Sequence, residues 1–79
     1  MENGTQCLRL VDTTRNRFRA YNMSEQRTLF GATDLVITWG RIGSRPRRRV
    51  ETFPDSDQLA RRRDELLNRR RLHGYEVVA

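Results

Sequence analysis

The segment DLVITWGRIGSRPRRR, residues 34–49, is the one around which the rest of the chain is organised. The part from Leu35 to Thr38 is predicted to be a β-strand, because valine, isoleucine and threonine fit a pleated, half-buried surface. If this strand continues, its two-residue period places Trp39 and Arg41 on one side and Gly40 on the other. The two glycines and the proline that follow predict a reversal of the chain, in a loop rich in arginine.

An indole ring beside a guanidinium is an arrangement that suits nucleic acid. Aromatic rings stack on bases or sugars, and arginine pairs with phosphate oxygens. The same two residues are open to a simpler interpretation, since tryptophan is often largely buried. In that interpretation Trp39 belongs to the core and Arg41 is a solvated neighbour.

The charge of the chain favours an acidic partner. The formal net charge is +6, the sequence pI is about 11.2, and all 16 basic residues are arginine. A field of this sign attracts polyanions and speeds their capture at low salt, so nucleic acid is the expected partner. The alternative is that a biased nucleotide composition of the genome accounts for the absence of lysine.

Several classes of protein are not expected from this sequence. A single cysteine, Cys7, rules out an intramolecular disulfide and suits a reducing compartment. With His73 as the only histidine, no zinc site, other metal site or cofactor is expected. The first residues lack the features of a signal peptide, and no apolar run approaches the roughly 20 residues that cross a bilayer. We therefore expect no membrane partner, and a cytoplasmic location, associated with the nucleoid if the source is bacterial.

The remaining patterns predict one domain over residues 1–79. Further strands are expected from Thr5 to Asp12, from Arg17 to Met23 and from Arg47 to Phe53, with residues 24–28 as a polar connection. Short polar links between successive strands indicate an antiparallel meander. Val50 and Phe53 break strict alternation, which predicts a bulge or an early end of the last of these strands.

A helix is predicted from Asp55 to His73. Asp55 and Gln58 form a capping-box pattern at its start, and Gly74 suits its end. Arg63 and Arg70 fall within the same arc as its apolar stripe of Leu59, Ala60, Leu66 and Leu67, where their heads would reach either water or a ligand. With a short strand from Tyr75 to Val78, the predicted fold is α+β: a small, mostly antiparallel sheet of four to five strands with one C-terminal helix packed across it.

Four segments together resemble the WGR domain, a module named for its Trp-Gly-Arg motif and found in DNA-dependent poly(ADP-ribose) polymerases and in bacterial proteins. They are Asn16-Arg17-Phe18, the run from Trp39 to Ser44, the segment from Phe53 into the helix, and His73-Gly74-Tyr75. The resemblance covers nearly the whole chain. One departure is Arg45-Pro46, where the family often has a second glycine in a slightly longer loop.

The resemblance implies contact with DNA at a strand break. It implies Trp39 as a stacking platform, Asn16 as a phosphate contact and Arg49 as the counterpart of the family's loop cation. Arg41 then has two candidate roles, since the motif arginine also docks other domains in the polymerases. The full set of candidate nucleic-acid-binding residues is Asn16, Arg17, Trp39, Arg41, Arg45, Arg47, Arg48 and Arg49.

The expected function is a nucleic-acid-binding module without sequence specificity, with DNA favoured over RNA and strand ends or nicks as candidate sites. Helix arginines interrupted by Asp64 and Glu65 do not form a base-reading surface. The alternative is a protein–protein interaction module anchored by Trp39 and Arg41. Catalytic residues and a small-molecule substrate are not expected, because the sequence pairs no nucleophile with a base and has no glycine-rich phosphate loop.

Overall fold

The computed structural model describes residues 4–78, which form one sheet and one helix. In chain order, the elements are β1 Thr5–Asp12, β2 Arg17–Arg27, β3 Thr33–Arg41, β4 Arg47–Phe53, α1 Ser56–Leu72 and β5 Glu76–Val77. The strands lie in the order β4-β3-β2-β1-β5, and every neighbouring pair is antiparallel. The α+β prediction, with an antiparallel meander and one C-terminal helix, is therefore confirmed.

The core lies between one face of the sheet and α1. Strand residues directly opposite each other share a face, so the pairs Leu8–Tyr21 and Met23–Ile37 point toward the helix together. The buried side chains of this layer are Leu8, Tyr21, Met23, Leu35, Ile37, Leu59 and Leu66. On the opposite face, which we call the open face, Val36 lies beside Val50, and no described helix covers them.

Both ends of α1 are fixed by the residues that the sequence indicated. The Asp55 carboxylate accepts a hydrogen bond from the backbone N–H of Gln58 at 2.8 Å. At the other end, Gly74 has a φ of 97°, a conformation that favours glycine. Gly74 N–H donates to Arg71 O and Tyr75 N–H donates to Arg70 O, each at 3.0 Å, which is a Schellman motif.

The two arginines in the apolar arc of α1 hold the helix to the sheet. Arg63 donates from Nη1 to Glu25 Oε2 at 3.3 Å. The Arg70 guanidinium carbon lies 4.4 Å from the centroid of the Tyr21 ring and 5.8 Å from that of Tyr75. Their heads thus contact polar and aromatic groups of this chain, and their stems cover its apolar surface.

Two details of the strand predictions were wrong. β2 does not end at Met23 but continues to Arg27, because its polar residues still pair with β3 as far as Thr33. β4 has no bulge, since its register with β3 is continuous. Val50 and Phe53 break the alternation because they lie on different faces: Val50 is on the open face and Phe53 packs against the core.

The helix content of residues 4–78 also bears on the membrane expectation. In this part of the chain, no helix combines the length and the apolar character that a membrane span requires.

Candidate nucleic-acid interface

A cleft opens at the end of the sheet where the β1–β2 turn and the β3–β4 turn approach each other. Its volume is about 470 Å³. Asn16 contributes from the first turn, Arg45 from the second, and Trp39 from β3 between them. The complete lining is Asn16, Arg17, Arg19, Trp39, Gly40, Arg41, Arg45 and Arg47. Six of the eight residues predicted from the sequence thus meet in one place.

Trp39 joins the core to the cleft. It lies opposite Tyr21 of β2 and Arg47 of β4, and it packs against the buried core while remaining half-buried. The core contact of the simpler interpretation is therefore present, and the stacking role stays a prediction. The core fixes the position of the indole ring, and the cleft leaves part of its surface accessible.

Arg41 connects the end of β3 to the β1–β2 turn. It donates from Nη1 to Asn16 O at 3.1 Å and from Nη2 to Asn16 Oδ1 at 3.3 Å. Its guanidinium carbon lies 5.4 Å from the centroid of the Phe18 ring. Asn16 has a φ of 54°, a left-handed conformation that asparagine tolerates better than most residues. These contacts hold the guanidinium in place at the rim of the cleft.

Gly40 allows the β3–β4 turn to fold back over the sheet. Its φ is 153°, which is unfavourable for any residue with a side chain, although a Cβ built on it would make only an ordinary contact with Pro46 Cα at 3.6 Å. Immediately after it, Ile42 N–H donates to Phe18 O at 2.7 Å. The glycine of the motif therefore has a structural role, since it lets the arginine-bearing turn close the cleft.

Positive charge is concentrated in the cleft. Five arginines line it, and no aspartate or glutamate does. Among residues 4–78, the ion pairs use other arginines, namely Arg15, Arg49, Arg62, Arg63 and Arg69. Arg19 of β2 lies opposite Arg41 of β3, and like charges in this position destabilise a sheet. An anion bound in the cleft would reduce the repulsion between them.

Arg48 and Arg49 do not belong to the cleft. Arg48 lies opposite Thr38 on the open face, and Arg49 lies opposite Ile37 on the helix side. Arg49 Nη2 is 2.8 Å from Glu51 Oε2, so its charge is already paired. The structure therefore separates the four arginines after Gly43 into two that line the cleft and two that do not.

Glu51 is the centre of a small charge network outside the cleft. Arg62 donates from Nε to Glu51 Oε1 at 2.8 Å and from Nη1 to Glu65 Oε1 at 2.6 Å. The hydrogen bond from Arg62 is the main reason that the pKa of Glu51 lies below its usual value, and the same bond raises the pKa of Arg62. This network attaches α1 to the outer strand of the sheet.

Arg19 was missing from the residues predicted for the site. A signal was present in the sequence, because the two-residue period of β2 places Arg19 on the same side as Arg17. What the sequence did not give was the register that sets Arg19 opposite Arg41 at the mouth of the cleft.

Metal binding has no candidate ligand cluster in the described part of the chain. Within residues 4–78, no three or more His, Cys, Asp or Glu side chains are grouped so that they could hold an ion.

Comparisons with known proteins identify the family of the chain. The family model described as the WGR domain matches residues 5–79. An uncharacterized protein, y4dW, of Sinorhizobium fredii is 37% identical over 65 residues, which are 82% of this chain and 32% of that protein. The chain thus spans about a third of the length of this curated relative. No solved structure matches the chain.

Proposed function

Because the chain belongs to the WGR domain family, we propose that it binds DNA in the cleft between its β1–β2 and β3–β4 turns, without sequence specificity. WGR domains are generally nucleic-acid-binding modules in proteins related to poly(ADP-ribose) polymerases, and they are binding domains rather than catalytic ones. The observation that carries the proposal for this chain is the set of five cleft arginines, none of them paired with a carboxylate in residues 4–78, around one half-buried tryptophan.

In this proposal, the cleft arginines bind the phosphates of the nucleic acid. Arg17 and Arg19 project from β2, Arg45 from the β3–β4 turn and Arg47 from β4, so they approach a ligand from several sides. Guanidinium groups pair with phosphate oxygens through two parallel hydrogen bonds. Counterions released from the nucleic acid would make the affinity fall steeply with salt.

Trp39 provides the preference for strand ends or nicks. Base pairs inside a duplex are covered on both sides by their neighbours, whereas a terminal base pair leaves one face free. An indole ring held by the core on one side and open on the other can stack on such a face without a large loss of its own conformational freedom. DNA is favoured over RNA because the polymerases of this family bind DNA. A protein of this kind would act in the cytoplasm, at the nucleoid if the source is bacterial.

The arrangement of α1 supports the absence of sequence reading. Arg62 and Arg63 of the helix are ion-paired to Glu51 and Glu25 of the sheet. Those two side chains are therefore engaged within the chain, and Asp64 and Glu65 interrupt the other basic residues of the helix.

The test uses the single tryptophan as its own probe. The protein is titrated with blunt duplex, nicked duplex, closed circular DNA and RNA at two salt concentrations, and Trp39 fluorescence is followed. Quenching by ends and nicks well beyond that by circular DNA is expected. If all four bind alike, lose affinity with salt and leave the fluorescence unchanged, Trp39 does not contact the nucleic acid.

A pair of variants separates stacking from packing. Trp39→Phe keeps an aromatic ring and most of the core contact, whereas Trp39→Leu keeps an apolar side chain but loses the ring. With labelled nicked duplex, we expect the leucine variant to lose more affinity than the phenylalanine variant, while both keep the far-UV circular dichroism of the wild type. If the folded leucine variant kept the wild-type preference for nicked over circular DNA, the stacking role would be refuted. Binding of a protein that persists after nuclease treatment would favour the interaction module anchored by Trp39 and Arg41.

A further inference from the structure

β4 is a long, regular strand at the edge of the sheet. It has seven residues, pairs only with β3, and keeps an unbroken register along its whole length. One side of its backbone therefore has N–H and C=O groups with no strand partner in the described chain. An edge strand without a proline or a bulge offers these groups to another strand, and a partner must then accommodate its four charged side chains. The opposite edge of the sheet ends in β5, which has only two residues.

The sequence of β4 is complementary to itself in one register. In a dimer that keeps the two helices on the same side, the twofold axis is perpendicular to the sheet and lies between the two strands, midway between one central residue and its own copy. With the axis at Val50, Arg49 lies opposite Glu51 of the second copy, Arg48 opposite Thr52 and Arg47 opposite Phe53. An axis at Arg49 or at Glu51 would instead place a charge opposite its own copy. Val50 is thus the one centre that pairs all seven residues without opposing like charges.

Both faces of this pairing are chemically consistent. On the helix side, Arg49 and Glu51 are 2.8 Å apart within one chain, so two copies would form an alternating group of four charges. On the open face, Val50 is 40% exposed and lies beside Val36. The second copy would continue this pair into a band of four valines across the interface. On the helix side again, Arg47 would lie opposite Phe53 of the second copy, and an aromatic ring favours a cation.

We propose that the chain forms a twofold-symmetric dimer in which β4 pairs antiparallel with β4 of a second copy, with Val50 at the centre. The two sheets then form one continuous sheet with both helices on the same side. Because the paired strands run in opposite directions, the two clefts lie at opposite ends of the dimer. The proposal goes beyond nucleic-acid binding and does not depend on it.

Cysteine cross-linking tests the register. In a background with Cys7→Ser, Val50→Cys places one thiol opposite its own copy, within reach of a disulfide. Thr52→Cys serves as the matched control, because position 52 faces position 48 of the second copy and not itself. We expect mild oxidation to yield the covalent dimer from Val50→Cys at least about 10-fold faster than from Thr52→Cys. A mixture of Arg48→Cys and Thr52→Cys chains should cross-link to each other, and equal rates for all single variants would overturn the register.

Charge exchange tests the interface itself by sedimentation equilibrium. Arg49→Glu and Glu51→Arg each place like charges opposite each other in a homodimer, so each alone should raise the dimer dissociation constant at least about 10-fold. Mixed together, the two variants present opposite charges at both positions and should form a heterodimer. Arg61→Glu, at an exposed helix position, controls for the change in net charge. The proposal is overturned if the wild type stays monomeric up to about 1 mM, or if the charge variants, shown to be folded by circular dichroism, associate as the wild type does.

Discussion

Arg47→Gln and Arg49→Gln form a matched pair of variants that tests whether the cleft binds phosphates. The two arginines are two residues apart on β4, on the same side of the strand, and each substitution removes one positive charge. Arg47 lines the cleft, whereas Arg49 is ion-paired with Glu51 at 2.8 Å outside it. The proposal therefore predicts that the two variants differ in DNA affinity, although each replaces one arginine of β4 by glutamine.

The magnitude follows from the number of cleft arginines. If all five bind one phosphate each, the logarithm of the affinity falls with the logarithm of the salt concentration with a slope of about −4.5 for duplex DNA, at about −0.9 per phosphate. Raising the salt fourfold, from about 50 to about 200 mM, then weakens binding about 500-fold. Without Arg47 the slope becomes about −3.6 and the same change in salt weakens binding about 150-fold. Arg49→Gln should keep the wild-type slope.

Fluorescence anisotropy of a labelled nicked duplex, measured at five or more salt concentrations, gives both slopes. Urea unfolding of each variant verifies that the comparison is between folded proteins. A wild-type slope close to zero, or a larger loss of slope for Arg49→Gln than for Arg47→Gln, would show that phosphates do not bind in the cleft.

Three further predictions concern the fold. Leu66→Ala should lower the free energy of unfolding by about 2–5 kcal/mol, because Leu66 is 2% exposed, whereas Leu72→Ala, at an 86% exposed position, should change it by less than about 0.5 kcal/mol; urea titrations measure both. Asp55→Ala should lower the free energy of unfolding by about 1 kcal/mol through loss of the helix cap. Thermal unfolding measures this, and a melting temperature equal to that of the wild type within experimental error would contradict it. Because the pKa of Glu51 is lowered in the folded state, the stability of the wild type relative to Glu51→Gln should be fully present above about pH 4.5 and disappear as the pH falls through the folded value; a difference that is constant between about pH 7 and pH 3 would contradict this.

The sequence predicted the elements well where hydrophobic period and end signals agreed. Asp55 and Gly74 marked the two ends of α1, and the alternation around Ile37 marked β3. The end of β2 was missed because residues near Glu25 are polar. Their polarity has a structural cause, since one side faces solvent and Glu25 itself pairs with Arg63 of α1. A local pattern cannot distinguish such a strand end from a loop.

For the candidate site, the sequence predicted the kinds of residue better than it predicted which individual residues line the cleft. Trp39, Arg41 and Asn16 were identified from the motif, and the structure places them around one cleft. Arg19 was not predicted, and Arg49 was predicted but lies outside the cleft. The positions of both residues depend on pairing between strands that are distant in sequence. Runs of arginine show that charge is present, but only the register and the positions of carboxylates show which charges are available.

Charge is distributed unevenly along the strands of the molecule. The carboxylates of Glu25, Asp34 and Asp55 lie toward the β2–β3 turn, whereas the cleft with its five arginines lies at the other end of the sheet. Near a polyanion, a positive end of this kind is attracted first, which turns the cleft forward before contact. Fewer encounters are then lost to wrong orientations, so the distribution of charge shortens the orientational search as well as strengthening the final complex.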